Sequence, residues 1–175
     1  WAGKELKAEL DSFSPELYKK IEREISHRIL TKALGVKAWW KTAGMNWNPW
    51  ICSNWLTCVM LYEKDAVLRQ KAVTEIEGCM RAFIDSYPED GGCDEGTGYW
   101  DRAAASLFEC LDLMRQIKAD SLADVTVLDY RKDKVARMGA YIYKMYIANG
   151  YSVNFADAHE NKSVVQLNVL WPFAL

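Results

Sequence analysis

The sequence predicts an all-α fold, on three observations. Apolar residues recur at helical spacing through most of the chain, proline and glycine punctuate those stretches where helices start and stop, and strand patterns are nearly missing. Ser14 followed by Pro15 offers a cap and a first helical residue. Leu17, Ile21, Ile25 and Ile29 then follow at steps of four, and Gly35 closes an amphipathic helix over 15–35. Asn48-Pro49 repeats the starting signal for a helix to about Lys64, apolar nearly all round and so expected in the interior. After a break near Asp65, a third helix is expected over 66–87 with Val73, Ile76, Met80, Phe83 and Ile84 on one stripe, stopped by Pro88. A fourth is expected over 99–118 and a fifth over 133–148, ended by Asn149-Gly150. A last apolar segment runs from Ser163 into Trp171-Pro172, and the best strand signal is residues 125–128. Stacked antiparallel hairpins, either a bundle or an α/α toroid, accommodate this order.

The 175 residues, half of them hydrophobic, suffice for a single helical domain spanning 1–175. The formal charge of −2 is spread, and the one dense run, 129–134, carries both signs. Neither nucleic acid nor a membrane surface is therefore an expected partner. Cys52, Cys58, Cys79, Cys93 and Cys110 form no CxxC pair and are odd in number, which argues against a disulfide framework or a zinc site, and no cofactor is expected. The chain opens on Trp1 without a signal peptide and ends on an apolar segment, so it is expected to be a portion of a larger protein. Asn161-Lys162-Ser163 matches a glycosylation sequon. Eight Trp, nine Tyr and five Phe exceed what a helical core of this size needs, and aromatic faces suit the apolar faces of sugars.

Two loops concentrate chemistry. Gly44-Met45-Asn46-Trp47-Asn48-Pro49-Trp50 places carboxamides and indoles before a helix N-terminus, where free N–H groups favour an anion such as a uronate carboxylate. The alternative is that Asn48 caps the helix while Trp47 and Trp50 enter the core. The second loop, Glu89-Asp90-Gly91-Gly92-Cys93-Asp94-Glu95-Gly96-Thr97-Gly98, leads into Tyr99-Trp100. Capping would explain its carboxylates, but not its four glycines or its Tyr-Trp pair.

Together these segments, with Tyr151, Asn154, Phe155 and Asp157 further on, resemble the heparinase II/III-like polysaccharide lyases from about Ser14 onward. The resemblance implies an incomplete α/α toroid, a downstream β-sandwich in the same parent chain, and a periplasmic or secreted setting. It also implies β-elimination on an acidic, uronic-acid polysaccharide, which needs a group to neutralise the sugar carboxylate, a base and an acid. By the family pattern Asn46 or Asn48 takes the carboxylate and Tyr99 serves as base, acid or both. Asn48, Trp47, Trp50, Glu95 and Trp100 would contact substrate. A tyrosine base near neutrality needs donors or positive charge nearby, and Arg102 lies one turn on. Trp47 or Pro49 stands where relatives often carry a catalytic His after the Asn. Of the two histidines, His27 is expected on the solvent face and His159 in a surface loop. Competing readings are a toroidal glycoside hydrolase using Asp94 or Glu95 with Asp157, and a non-catalytic carbohydrate-binding domain. Because only part of the proton-transfer set is present, the 175-residue chain alone is expected to be inactive.

Overall fold

The computed structural model describes residues 1–159 and 167–173, and it is mostly helical. Two short helices, α1 (Ala2–Glu5) and α2 (Lys7–Phe13), precede the first expected one. Helix α3 (Pro15–Ile25) begins at the proline, after an extended Ser14. The expected helix to residue 35 is interrupted: a π segment, Ser26–Leu30, separates α3 from α4 (Thr31–Ala33), and Gly35 turns the chain with φ +73°.

A 3₁₀ turn, Trp39–Lys41, leads to α5 (Trp47–Tyr62), which starts before Pro49 because Asn48 turns inward instead of capping. Helix α6 (Ala66–Ser86) is capped by Asp65, whose carboxylate accepts from the Val67 and Leu68 amides at 2.8 and 3.0 Å. The expected helix over 99–118 divides into α7 (Thr97–Trp100) and α8 (Ala104–Ala119). The bend lets Trp100 enter the core beside the small, buried Ala103, Ala104 and Ala105.

Helix α9 (Lys132–Lys144) ends earlier than expected, and the chain enters an antiparallel hairpin of β1 (Tyr146–Ala148) and β2 (Tyr151–Ser152). Asn149 and Gly150, expected as a helix end, are the two-residue turn of that hairpin, with φ of 52° and 84°. Asn-Gly suits either role; here both residues adopt the positive φ that a primed turn requires. The expected strand signal at 125–128 falls instead on a 3₁₀ turn, Val127–Asp129. A further 3₁₀ segment, Leu167–Phe173, packs Phe173 edge-on against Phe108 at 5.1 Å. The sequon and the start of the last apolar segment lie outside the described residues.

The core lies where α5 packs between α6 and α8, with Leu56, Val73, Ile76, Met80, Phe83, Leu107, Phe108 and Met114 sealed from solvent. Burying a side chain of this kind contributes roughly 1.5–3 kcal/mol. Asn48 near the start of α5 touches Cys79 late in α6, so these two form an antiparallel hairpin. By contrast, Asn46 pairs with Glu95, Trp50 with Arg102 and Ser53 with Glu109, so α5 and α8 run parallel with their leading loops at one end.

Candidate functional site

The first loop is held from inside. Lys41 is nearly buried, over the rings of Trp40 and Trp55, and its ammonium donates to the Ala33 carbonyl at 2.7 Å, the Val36 carbonyl at 2.9 Å and the Glu75 carboxylate. Glu75 in turn accepts from the Gly35 amide, closing the loop onto α6. Asn48 is fully buried. Its amide nitrogen serves the carbonyls of Lys41, Ala43 and Cys79 at 3.1, 3.3 and 3.0 Å. Two N–H groups thus serve three acceptors, so at least one is shared. Asn48 therefore anchors the loop and does not face a ligand, contrary to its expected contact with substrate.

Asn46, at the N-cap of α5, is 7% exposed and donates from its amide to the Glu95 carboxylate at 3.2 Å. This bond joins the two loops across 49 positions of sequence.

The second loop is held by close backbone approach. Gly96 has φ +83° and ψ −177°, a region essentially reserved for glycine. A Cβ there would lie 2.5 Å from the Phe155 carbonyl oxygen, and one on Gly98 would lie 3.0 Å from the Asp157 carbonyl oxygen. Gly91, with φ +81°, lies equally tight against the Arg137–Met138 backbone of α9. The third motif segment, around residues 154–158, therefore packs directly on the glycines of the second.

Trp100 is fully buried and donates its indole N–H to the Met138 carbonyl at 2.9 Å, so it too supports the loop from within and offers no face to a sugar. Tyr99, its neighbour, is 38% exposed. One turn later the Arg102 guanidinium lies over the Trp50 ring at 4.8 Å. Trp50 contacts Trp47 at 6.4 Å between centroids, and Trp47 contacts Trp39 at 5.9 Å. Trp39 thus extends the surface beyond the residues expected from sequence, while Arg102, expected to act near Tyr99, is found stacked on Trp50. A run of indoles at residues 39, 47 and 50 was the available signal, but no periodicity in 36–46 marks which ring faces out.

Cys93 is buried in the second loop, and burial pushes its thiol up from the usual range, partly offset by the Tyr87 hydroxyl, which argues against a nucleophile. His27 and His159 are exposed. Asp94 and Asp157 are exposed as well, while Glu95 is partly buried. Among the described residues no group of three or more His, Cys, Asp or Glu is placed to hold a metal, and no helix is long and apolar enough to cross a membrane.

What the arrangement offers chemically is an amide and a carboxylate fixed to each other, a phenol on the next turn, a stacked guanidinium and a line of open indoles. No protein-family model matches the chain, and comparison with curated proteins gives no match.

Proposed function

We propose that the chain is the helical part of a polysaccharide lyase of the heparinase II/III-like kind, on an incomplete α/α toroid, cleaving uronic-acid polysaccharide by β-elimination. The observation that carries this reading is the Asn46–Glu95 hydrogen bond, which brings the leading loops of two parallel helices together beside Tyr99. The antiparallel α5–α6 hairpin with α8 parallel to α5 is compatible with the alternating inner and outer helices of a toroid, as it is with a bundle.

In this mechanism the Asn46 amide, its orientation held by Glu95, hydrogen-bonds the uronate carboxylate as negative charge spreads onto it. Tyr99 exchanges a proton with the carbon beside that carboxylate or with the departing glycosidic oxygen. Arg102, clamped on Trp50, adds positive charge where the substrate carries its own negative charge. The remaining proton-transfer group is supplied by the longer protein, whose setting is periplasmic or secreted and whose downstream part is a β-sandwich.

The test is depolymerisation of glycosaminoglycans and alginate by the full-length protein, followed by the ultraviolet absorbance of unsaturated uronate. Tyr99→Phe is expected to lower turnover by about 10²- to 10⁴-fold while leaving polysaccharide binding intact. Saturated products would assign hydrolysis instead. Binding without any turnover would leave a carbohydrate-binding domain.

A further inference from the structure

Trp39, Trp47 and Trp50 are 62%, 49% and 39% exposed, although they are neighbours in space and closing them together would remove much apolar surface from water. They touch in series, Trp39 to Trp47 to Trp50, with centroid steps of 5.9 and 6.4 Å and planes tilted by 53° and 56°. One end of the series carries the Arg102 guanidinium, one turn from Tyr99; the other end is Trp39, on the 3₁₀ turn 39–41. Lys41, the last residue of that turn, is buried, and its ammonium ties the turn to the Ala33 and Val36 carbonyls and to Glu75.

We infer that Trp39, Trp47 and the Trp50–Arg102 pair form a platform for a run of several sugar units bearing carboxylates, leading away from Tyr99 towards Trp39. The inference rests on the lyase reading for its substrate class but not for its geometry. Each indole step is comparable to one pyranose unit. The tilt between successive rings suits a chain that rotates about its glycosidic links rather than a flat ribbon. Trp50 gives one face to Arg102, so its part is to hold the guanidinium with its edge donors open to a carboxylate. Trp39 and Trp47 supply the faces on which sugar rings stack. The charge on Arg102 favours an acidic chain over a neutral glycan of the same shape.

The test is calorimetric binding to the full-length protein of uronate di-, tetra- and hexasaccharides, beside the same oligosaccharides with their carboxylates reduced to alcohols. Affinity is expected to rise with length. Trp39→Ala is expected to weaken hexasaccharide binding roughly tenfold while leaving the disaccharide unchanged. Arg102→Gln is expected to weaken the uronates and not the reduced forms. Trp39 is too exposed for its truncation to disturb the core, and Trp39→Phe should restore most of the loss. Equal affinity of wild type and Trp39→Ala at every length would overturn the platform, as would equal binding of uronate and reduced chains. The two readings separate cleanly. Length-dependent binding without unsaturated product would sink the lyase and keep the platform, whereas elimination with an unchanged KM for long chains in Trp39→Ala would do the reverse.

Discussion

The loops leading into α5 and α7 end side by side, each with one residue turned in and a close neighbour turned out, yet they are held by different means. In the first, Asn48 is sealed while Trp47 is half open; in the second, Trp100 is sealed while Tyr99 is half open. The first is fixed by side chains donating to backbone carbonyls, through Asn48 and Lys41. The second also receives side-chain donors, Arg137 onto the Glu89 carbonyl and Trp100 onto Met138, but it adds close backbone approach, since Gly91, Gly96 and Gly98 let α9 and the 154–158 segment come within contact of its backbone. The first loop thus depends on the polarity of particular atoms, and the second on empty volume as well. They should therefore fail under different substitutions.

The largest effect is expected from Asn48→Asp. The shape is unchanged, but a carboxylate oxygen would replace the N–H₂ group that serves three carbonyls in a fully buried site. Acceptor would face acceptor without water, and a loss of about 4 kcal/mol in urea unfolding is expected. Asn48→Ala, which removes the donors without adding charge, should lose about 2–3 kcal/mol. If both variants melt like wild type, side-chain donation does not hold the first loop.

A smaller loss, about 3 kcal/mol, is expected from Gly96→Ala, which combines a backbone region closed to alanine with a collision on the Phe155 carbonyl. Gly92→Ala is the internal control. It lacks a positive φ, and its added Cβ would meet only the Asp90 side chain, nearest at 3.1 Å, so it should stay within about 1 kcal/mol of wild type. Amide hydrogen exchange should show faster exchange in 153–158 for Gly96→Ala and not for Gly92→Ala. Equal effects would mean that close approach is not what fixes the second loop.

What sequence could convey follows the same division. Helix ends set by local chemistry were legible: Pro15 at a first turn, Asp65 as a break, Pro88 as a stop. The two loops were also legible as places of unusual composition. Which member of each pair turns inward was not, because Trp100 is drawn in by a carbonyl 38 residues away and Asn48 by one 31 residues away. Trp39 carries no local mark of exposure: it stands on a short turn whose last residue, Lys41, is buried, and lysine is the residue composition places outside most readily. Asn149-Gly150 carried a signal with two local solutions, and packing chose the hairpin.

The seam between α5 and α8, behind both loops, gives the smallest and most discriminating prediction. Glu109 lines a cavity of about 480 Å³ there with Ser53, Thr57, Leu113 and Gln116. Burial pushes its carboxyl above the usual glutamate range, while a hydrogen bond with Ser53 and the charge of Arg102 pull it partly back. A raised acid holds its proton to higher pH in the folded chain than in the unfolded one. Stability from this group is therefore present below the ordinary value of about 4.3 and declines as pH rises through the raised one. Glu109→Gln removes the decline. Because water reaches the partly buried carboxyl, the gain at pH 7 should be only about 0.5 kcal/mol, and it should vanish near pH 4. The measurement is the difference in unfolding free energy between variant and wild type from pH 4 to pH 8, which cancels the other carboxylates. A difference that is flat with pH would show that Glu109 titrates alike in both states. A loss at neutral pH would mean that the Ser53 and Arg102 interactions outweigh burial, making the seam a third polar anchor of the site rather than a cost borne beneath it.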